Sequence, residues 1–304
     1  MEFGMKKIII KPVAWLILAS LLLTGCQAGQ SPSPSSAGLK VLAVESFLAD
    51  IAQNVAGDRL QVDTLMPRDI DPHAFEPTPQ DIARIAESQV LIANGTGLEA
   101  WLEKTLQNAG GQHTLIEAAS GLTSRPGSEG DPHFWLNPQL VVKYVENIRD
   151  GLSAADPAGK EVYARNATAY IQRLQELDGW IQQQVAVLPP ARRLIVTNHE
   201  SFGYFADRYG FQIIGAILPS VSTSAEPSAQ GMANLVNNIR QAGVSAIFLE
   251  TGANPQLAAQ IARETGAKVI SDLYTHSTTE AGGKAPSYID MMKYDVTTIV
   301  EALK

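Results

Sequence analysis

The sequence predicts an α/β fold, with two parallel-sheet α/β lobes joined by one long connecting helix. Three observations carry this. Short β-rich runs alternate with amphipathic segments through the first half, an order that implies a parallel sheet covered by helices. The alternation stops over residues 157–187, where there is neither a strand pattern nor an internal proline after Pro157. It then resumes and continues almost to the end of the chain.

In the first half, residues 41–44 (VLAV) read as a strand, with a helical pattern following through residue 56. Residues 60–65 read as a second strand. Thr78-Pro79 is a helix start, with threonine as N-cap and proline at the first helical position. Residues 90–93 (VLIA) form a buried strand and residues 98–108 a helix, and the stretch AGGQHTLIE reads as a polar connection. Asn137-Pro138 repeats the cap-then-proline signal and opens a helix to about residue 150.

Tyr163, Ala167, Tyr170, Leu174, Leu177 and Ile181 recur at steps of 4 and 3. They form one apolar stripe on a helix of about 30 residues, or roughly 45 Å. Pro189-Pro190 stops it. A coiled-coil arm would carry the same stripe, but one helix between two α/β halves is better explained as spanning both. Beyond it, strands are expected at residues 194–196, 212–216, 244–249 and 268–270. Helices are expected at 201–209, 228–242, 255–265 and 288–303.

The N-terminus reads as a segment removed from the fold. Lys6, Lys7 and Lys11 precede an apolar run over residues 13–23, too short to span a bilayer comfortably and laid out like a secretory signal. It ends in Leu23-Thr24-Gly25-Cys26, which resembles the bacterial lipobox. There the cysteine is acylated and becomes the mature N-terminus. Cys26 is the only cysteine, so the mature chain can form no internal disulfide and its stability must come from its core. Residues 26–38, rich in Ser, Pro and Gly, read as a flexible tether. The expected organisation is a signal peptide over 1–25, the tether over 26–38, an N-terminal lobe over 39–156, the long helix over 157–188 and a C-terminal lobe over 189–304.

The formal net charge is −8, and removal of residues 1–25 takes away three Lys and one Glu, leaving about −10. This argues against nucleic acid as a partner and against a basic membrane-surface helix. It suits a cationic ligand.

The tripeptide Asp-Pro-His occurs twice, at 71–73 and 131–133. Proline fixes its own φ and pushes the preceding Asp into extended backbone, so each histidine leaves a stiff, non-helical segment. Taken singly, each reads as a turn with a solvated histidine. Occurring twice, each in a loop that runs into a helix start, they read as two arms of one metal site. His199 (in NHESFGYF) and His276 (in LYTHSTT) each follow a strand. In parallel α/β sheets the loops leaving the carboxyl ends of strands face the ligand crevice. Each half thus supplies two histidines. His113, in the polar connection, lacks such a context.

The whole mature chain resembles the metal-binding lipoproteins that feed zinc and manganese ABC importers, the cluster A-I class. The resemblance rests on DPHAFEPTPQD, NGTGLEAWL, DPHFWLNP, HESFGYF, FLETGANP and SYIDMMKYD, and covers nearly every segment of 39–304. It implies a metal held between the two lobes and delivery to a membrane permease and its ATPase. His73 and His133 match the first two ligand positions. His199 matches the third, as in the zinc type, where manganese-type members usually place a carboxylate. At the fourth position the family usually has LYSDSLG, with Asp as ligand. Here the register between Leu273-Tyr274 and Ser287-Tyr288 puts His276 in that place, and Asp272 is the alternative. The His-rich loop that some members carry before the second ligand is absent.

The expected cargo is Zn2+, because zinc takes imidazole nitrogens in tetrahedral geometry. Mn2+ is the alternative, since carboxylate and water suit it better. Asp71, Asp131, Glu200 and Asp272 are candidates to accept the ligands' other ring N–H groups. A zinc-dependent hydrolase is the rival class. It would need an open coordination position and a general base, and the chain has no H-E-x-x-H helix. The use of the same fold as an adhesin is a further role to consider. The expected molecule is a monomeric, non-enzymatic binding protein, exported and lipid-anchored, periplasmic or on the cell surface.

Overall fold

Among the described residues the chain forms two four-stranded parallel sheets, each covered by helices on both faces. The computed structural model describes residues 1, 2, 4, 38–128 and 130–304. The expected signal run, lipobox and most of the tether lie outside the described residues. Among the described residues no helix is long and apolar enough to cross a membrane.

The first sheet contains β1 (Val41–Ala43), β2 (Val62–Thr64), β3 (Val90–Ala93) and β4 (Thr114–Glu117), in the order β2-β1-β3-β4. All its pairings are parallel. The second contains β5 (Leu194–Thr197), β6 (Gln212–Ala216), β7 (Ala246–Glu250) and β8 (Lys268–Leu273), in the order β6-β5-β7-β8, again parallel throughout. The stretch expected as a polar connection is partly wrong: it contains β4. That strand lies at a sheet edge and buries only Ile116, so it lacks the apolar run that marks an interior strand.

The helices are α1 (Ser46–Ala56), α2 (Pro79–Glu87), α3 (Leu102–Ala109), α4 (Pro138–Ala155), α5 (Lys160–Val185), α6 (Gly203–Tyr209), α7 (Ala229–Ala242), α8 (Gln256–Thr265) and α9 (Tyr288–Leu303). The expected caps form. The Thr78 hydroxyl accepts from the Asp81 N–H, and Asp81 bonds back to the Thr78 N–H, closing a capping box at the start of α2. The Asn137 side chain accepts from the Gln139 N–H at the start of α4.

The long helix α5 has 26 residues, preceded by a 3-10 turn at Pro157–Gly159, and so is shorter than the stripe alone suggests. All six stripe residues are buried. Both ends of α5 are tied down. Arg59, in the turn after α1, holds Asp156 just before α5 through two N–H···O bonds of 2.5 and 2.8 Å. Asp178, near the other end, accepts from Arg208 at 2.9 and 2.5 Å and from the Tyr209 hydroxyl at 2.9 Å, both on α6.

Three apolar clusters result. One lies under α2 and α3 on the outer face of the first sheet. Another lies under α7 and α8 on the outer face of the second. The third and largest runs from Val41 to Leu303, takes in the stripe of α5, and joins residues of both sheets with α1, α4, α6 and α9. Phe47 and Trp135 stack at its centre, ring centroids 4.8 Å apart. Trp135 Nε1 donates to the Thr275 carbonyl at 2.6 Å, and the Tyr288 hydroxyl donates to the Trp135 carbonyl at 2.6 Å. These bonds fix the loop after β8 against the first half of the chain.

Candidate metal site

Each of the four predicted histidines leaves the carboxyl end of a strand. His73 lies between β2 and α2, His133 between β4 and α4, His199 between β5 and α6, and His276 between β8 and α9. Parallel pairing aims these loops the same way within each sheet, which is why residues so distant in sequence meet.

Three of the rings converge through one atom each. His133 Nε2 lies 3.3 Å from His73 Nε2 and 3.1 Å from His199 Nε2. The ligand atoms of the three fall within 4.8 Å of one another. His133 and His199 have no exposed surface, and His73 is half-buried.

Carboxylates lie behind two of the rings. Asp131 Oδ1 is 2.9 Å from His133 Nδ1. Glu250, the last residue of β7, has Oε1 at 2.7 Å from His199 Nδ1. A proton on each Nδ1 leaves Nε2 as a lone pair facing the centre, the arrangement that orients metal-ligating histidines. Asp71 acts differently: its Oδ1 accepts the backbone N–H of His73 at 2.9 Å and so shapes the turn. Glu200 and Asp272 are exposed.

His276 is beside this cluster and not fully within it. Its ring centroid is 5.8 Å from that of His199 and 6.4 Å from that of His73. Its Nε2 lies 2.9 Å from Glu250 Oε2, and its Nδ1 is 3.2 Å from the Thr275 hydroxyl. His199, Glu250 and His276 form a second group able to hold a cation, sharing His199 with the first. The alternative residue, Asp272, is in neither group. It sits within β8, turned to solvent, with Lys284 Nζ 3.5 Å away. Both ring nitrogens of His113 are taken by carbonyls, those of Ser88 and Gly110.

The site favours neutral imidazole. Burial pushes His73 down to about 4, assisted by His199 and His276. Burial, with the same kind of neighbours, holds His133 well below its ordinary value. His276 goes the other way. Burial opposes its charge, but the Glu250 carboxylate outweighs it and raises the ring. Burial alone would raise Glu250; the facing histidines hold it well below the usual carboxylate range. Burial lifts Asp131 to about 6.

Glu250 is the residue that sequence reasoning missed. The motif FLETGANP drew notice as a whole, but nothing marked its glutamate. The available signal was positional: Glu250 ends a wholly buried apolar strand, where a carboxylate needs a partner.

Comparison with known proteins identifies relatives along the whole of the two lobes. Residues 41–302 match the family described as ZnuA, zinc-uptake complex component A, periplasmic. The manganese-binding lipoprotein MntA of Halalkalibacterium halodurans is 34% identical over 303 residues, covering 98% of this chain and 99% of that protein. The manganese ABC transporter substrate-binding lipoprotein PsaA of Streptococcus pneumoniae is 31% identical over 301 residues, covering 95% and 96%. Among solved structures, the Mn-bound periplasmic metal binding protein of candidatus liberibacter asiaticus superposes with a TM-score of 0.78 at 30% identity, over 88% of this chain and 100% of that one. The periplasmic zinc binding protein TroA of Treponema pallidum gives the same TM-score of 0.78 at 27% identity, over 87% and 99%. With two parallel-sheet lobes, a long helix between them and this match along the chain, the protein belongs to the ZnuA family, the cluster A-I class of ABC-importer substrate-binding proteins.

Proposed function

We propose that the protein captures Zn2+ outside the cytoplasmic membrane and hands it to the permease and ATPase of an ABC importer. His73, His133 and His199 hold the ion through Nε2, and His276 is the fourth ligand. The chain is held at the membrane through acylated Cys26 and acts as a monomer.

The spacing of the three Nε2 atoms carries this reading. Tetrahedral zinc with Zn–N bonds of about 2.0–2.1 Å needs ligand nitrogens about 3.3 Å apart. His133 Nε2 lies 3.3 Å from His73 Nε2 and 3.1 Å from His199 Nε2. The relatives' names describe binding and transport components, which supports a carrier over a hydrolase.

Manganese is the second reading, favoured by the names of MntA and PsaA. Nitrogen donors argue for zinc against it, because manganese prefers oxygen. Competition titration of Zn2+ against Mn2+, with elemental analysis of protein purified without added metal, tests the choice. Zinc should bind far more tightly, with a Kd on the order of nanomolar. Tighter binding of manganese would overturn the zinc reading and leave the carrier reading in place.

A further inference from the structure

One segment grips both Asp-Pro-His tripeptides. It is residues 94–101 (NGTGLEAW), the link between β3 and α3. The indole Nε1 of Trp101 donates to the Pro72 carbonyl at 3.0 Å, and Asn94 Nδ2 donates to the Pro132 carbonyl at 3.2 Å. Each acceptor belongs to the peptide unit that leads into a histidine, His73 in one case and His133 in the other. The N–H of the same peptide unit is held by the aspartate of the tripeptide, Asp71 Oδ1 at 2.9 Å and Asp131 Oδ1 at 3.1 Å. Each Pro–His peptide plane is therefore bonded on both sides.

A trans peptide leaves only φ and ψ soft, and the pyrrolidine ring fixes φ of the proline. A donor held against the proline carbonyl fixes ψ. The Cα of the following histidine is then placed by the donor. The donors are themselves fixed. Asn94 has no exposed surface, its Oδ1 accepts from the Tyr144 hydroxyl, and its Nδ2 also donates to the Gly95 carbonyl at 3.0 Å. With two carbonyls on one side only the amide nitrogen fits there, so the side chain cannot be turned over. The Trp101 ring packs edge-on against Phe75, centroids 5.0 Å apart, just past His73 in the chain. Between the two donors, the Glu99 side chain accepts the N–H groups of Asn94 at 2.6 Å and Gly95 at 3.1 Å. Gly95, Thr96 and Gly97 have φ of 81°, 55° and 83°. For a β-branched residue such as Thr96 this conformation is uncommon, and it persists where the surroundings over-determine it.

We infer that Asn94 and Trp101 are positioning residues for cation binding, and that this one segment, acting through the two proline carbonyls, sets the spacing of His73 and His133. The inference rests on the reading of the site as a divalent-cation site. The segment supplies no ligand. It fixes the distance between two arms whose ring nitrogens lie 3.3 Å apart although they come from strands at opposite edges of the first sheet.

The experiment is a pair of double-mutant cycles, read by competition for Zn2+ against a chelator of known affinity. Trp101→Phe keeps a ring against Phe75 and removes the donor. It should weaken zinc binding about 10–100-fold, the usual cost of losing a group that orients a ligand. In His73→Ala, where there is no ring left to aim, it should cost nothing further. In His133→Ala it should keep its full effect. Asn94→Ser removes the other donor and should show the reverse pattern, its effect absent in His133→Ala and kept in His73→Ala. A merely structural role would lower affinity alike in every background. That outcome, or no loss in the wild-type background, would overturn the inference and leave the histidine site in place. Failure of the wild-type protein to take up Zn2+ would overturn the cation-binding reading and this inference with it. Trp101 is half-buried, so Trp101→Phe is the milder change, and its cycle decides the inference alone if Asn94→Ser does not fold.

Discussion

Asp131 and His133, with one proline between them, meet twice through a single oxygen. Asp131 Oδ1 accepts the backbone N–H of His133 at 3.1 Å and also lies 2.9 Å from its Nδ1. The proline holds the turn open at the angle that allows both. At the other copy of the tripeptide, Asp71 makes only the backbone bond to His73. One motif thus yields a ring with a carboxylate behind it and a ring without one. The expectation that both serve the same site stands as part of the proposal above. Their supports differ.

That difference predicts unequal effects of two similar substitutions. Asp131→Asn should weaken zinc binding about 10–100-fold, the usual cost of losing a carboxylate behind a histidine ligand. Asp71→Asn should cost much less, because an amide oxygen can still accept the His73 N–H. Titration against a chelator of known affinity measures both. Equal losses would show that the two aspartates act alike.

Acid should release the ion in stages. His276 is raised by Glu250, so its proton is the first to compete with the metal as pH falls. His73, pushed down to about 4, competes only in much stronger acid. A ligand that gains a proton leaves the metal, so affinity must fall as pH falls. The expected profile is a shallow first decline followed by a steep one toward about pH 4. A single steep loss near 6.5, with several protons taken up together, would contradict this ordering.

Glu45 is a liability in the core. It is 2% exposed and its carboxyl group faces that of Glu99, and burial together with this neighbour raises it well above its ordinary value. In acid the group is protonated in both folded and unfolded chains and costs nothing. As pH rises past the ordinary carboxyl value, the unfolded chain loses its proton first, so stability falls. Glu45→Gln should remove that penalty and stabilise the protein at neutral pH by on the order of 1 kcal/mol, a common gain for such a substitution. Thermal melting at pH 4 and pH 7 checks it, with the gain confined to the higher pH. A loss of stability at pH 7 would mean that the carboxyl group is needed.

Asp178 works in the opposite sense. Burial opposes its charge, but Arg208 and Tyr209 outweigh it and lower the group. Its contribution is present above the ordinary carboxyl value and lost as pH falls through the lowered one. Asp178→Ala leaves Arg208, a half-exposed cation, without its partner. It should cost about 2 kcal/mol, below the figure for a fully buried pair because Arg208 is partly solvated. The melting temperature should then drop by roughly 4–8 °C. A drop of under a degree would show that α6 is held to α5 by apolar packing alone.

Much of the fold was legible because parallel sheets advertise themselves. Runs such as VLIA at β3 are buried on both faces, and cap-then-proline pairs mark α2 and α4. Edges were harder. In β4 only Ile116 needs burial, so Thr114, Leu115 and Glu117 gave no alternation to read. The histidines were legible as loop residues after strands. Asp272 stood as the alternative because β8 seemed to end at residue 270. The strand runs on to Leu273, which is buried, while Asp272 before it is exposed and faces Lys284. Glu250 was invisible for a different reason. Its meaning depends on β7 lying between β5 and β8, an order that no local pattern encodes.

The largest apolar cluster runs without interruption from Val41 to Leu303 and includes the buried stripe of α5. A molecule built this way has no cleavage plane. Removing either half would strip the covering from one side of α5 and expose leucines and tyrosines that are now dry, so neither half is a candidate for expression alone. Heating should give one calorimetric transition, its van't Hoff and calorimetric enthalpies in agreement, in place of two lobes melting in turn. The two sheets, though they share no hydrogen-bonded strand pair, stand or fall as one cooperative body.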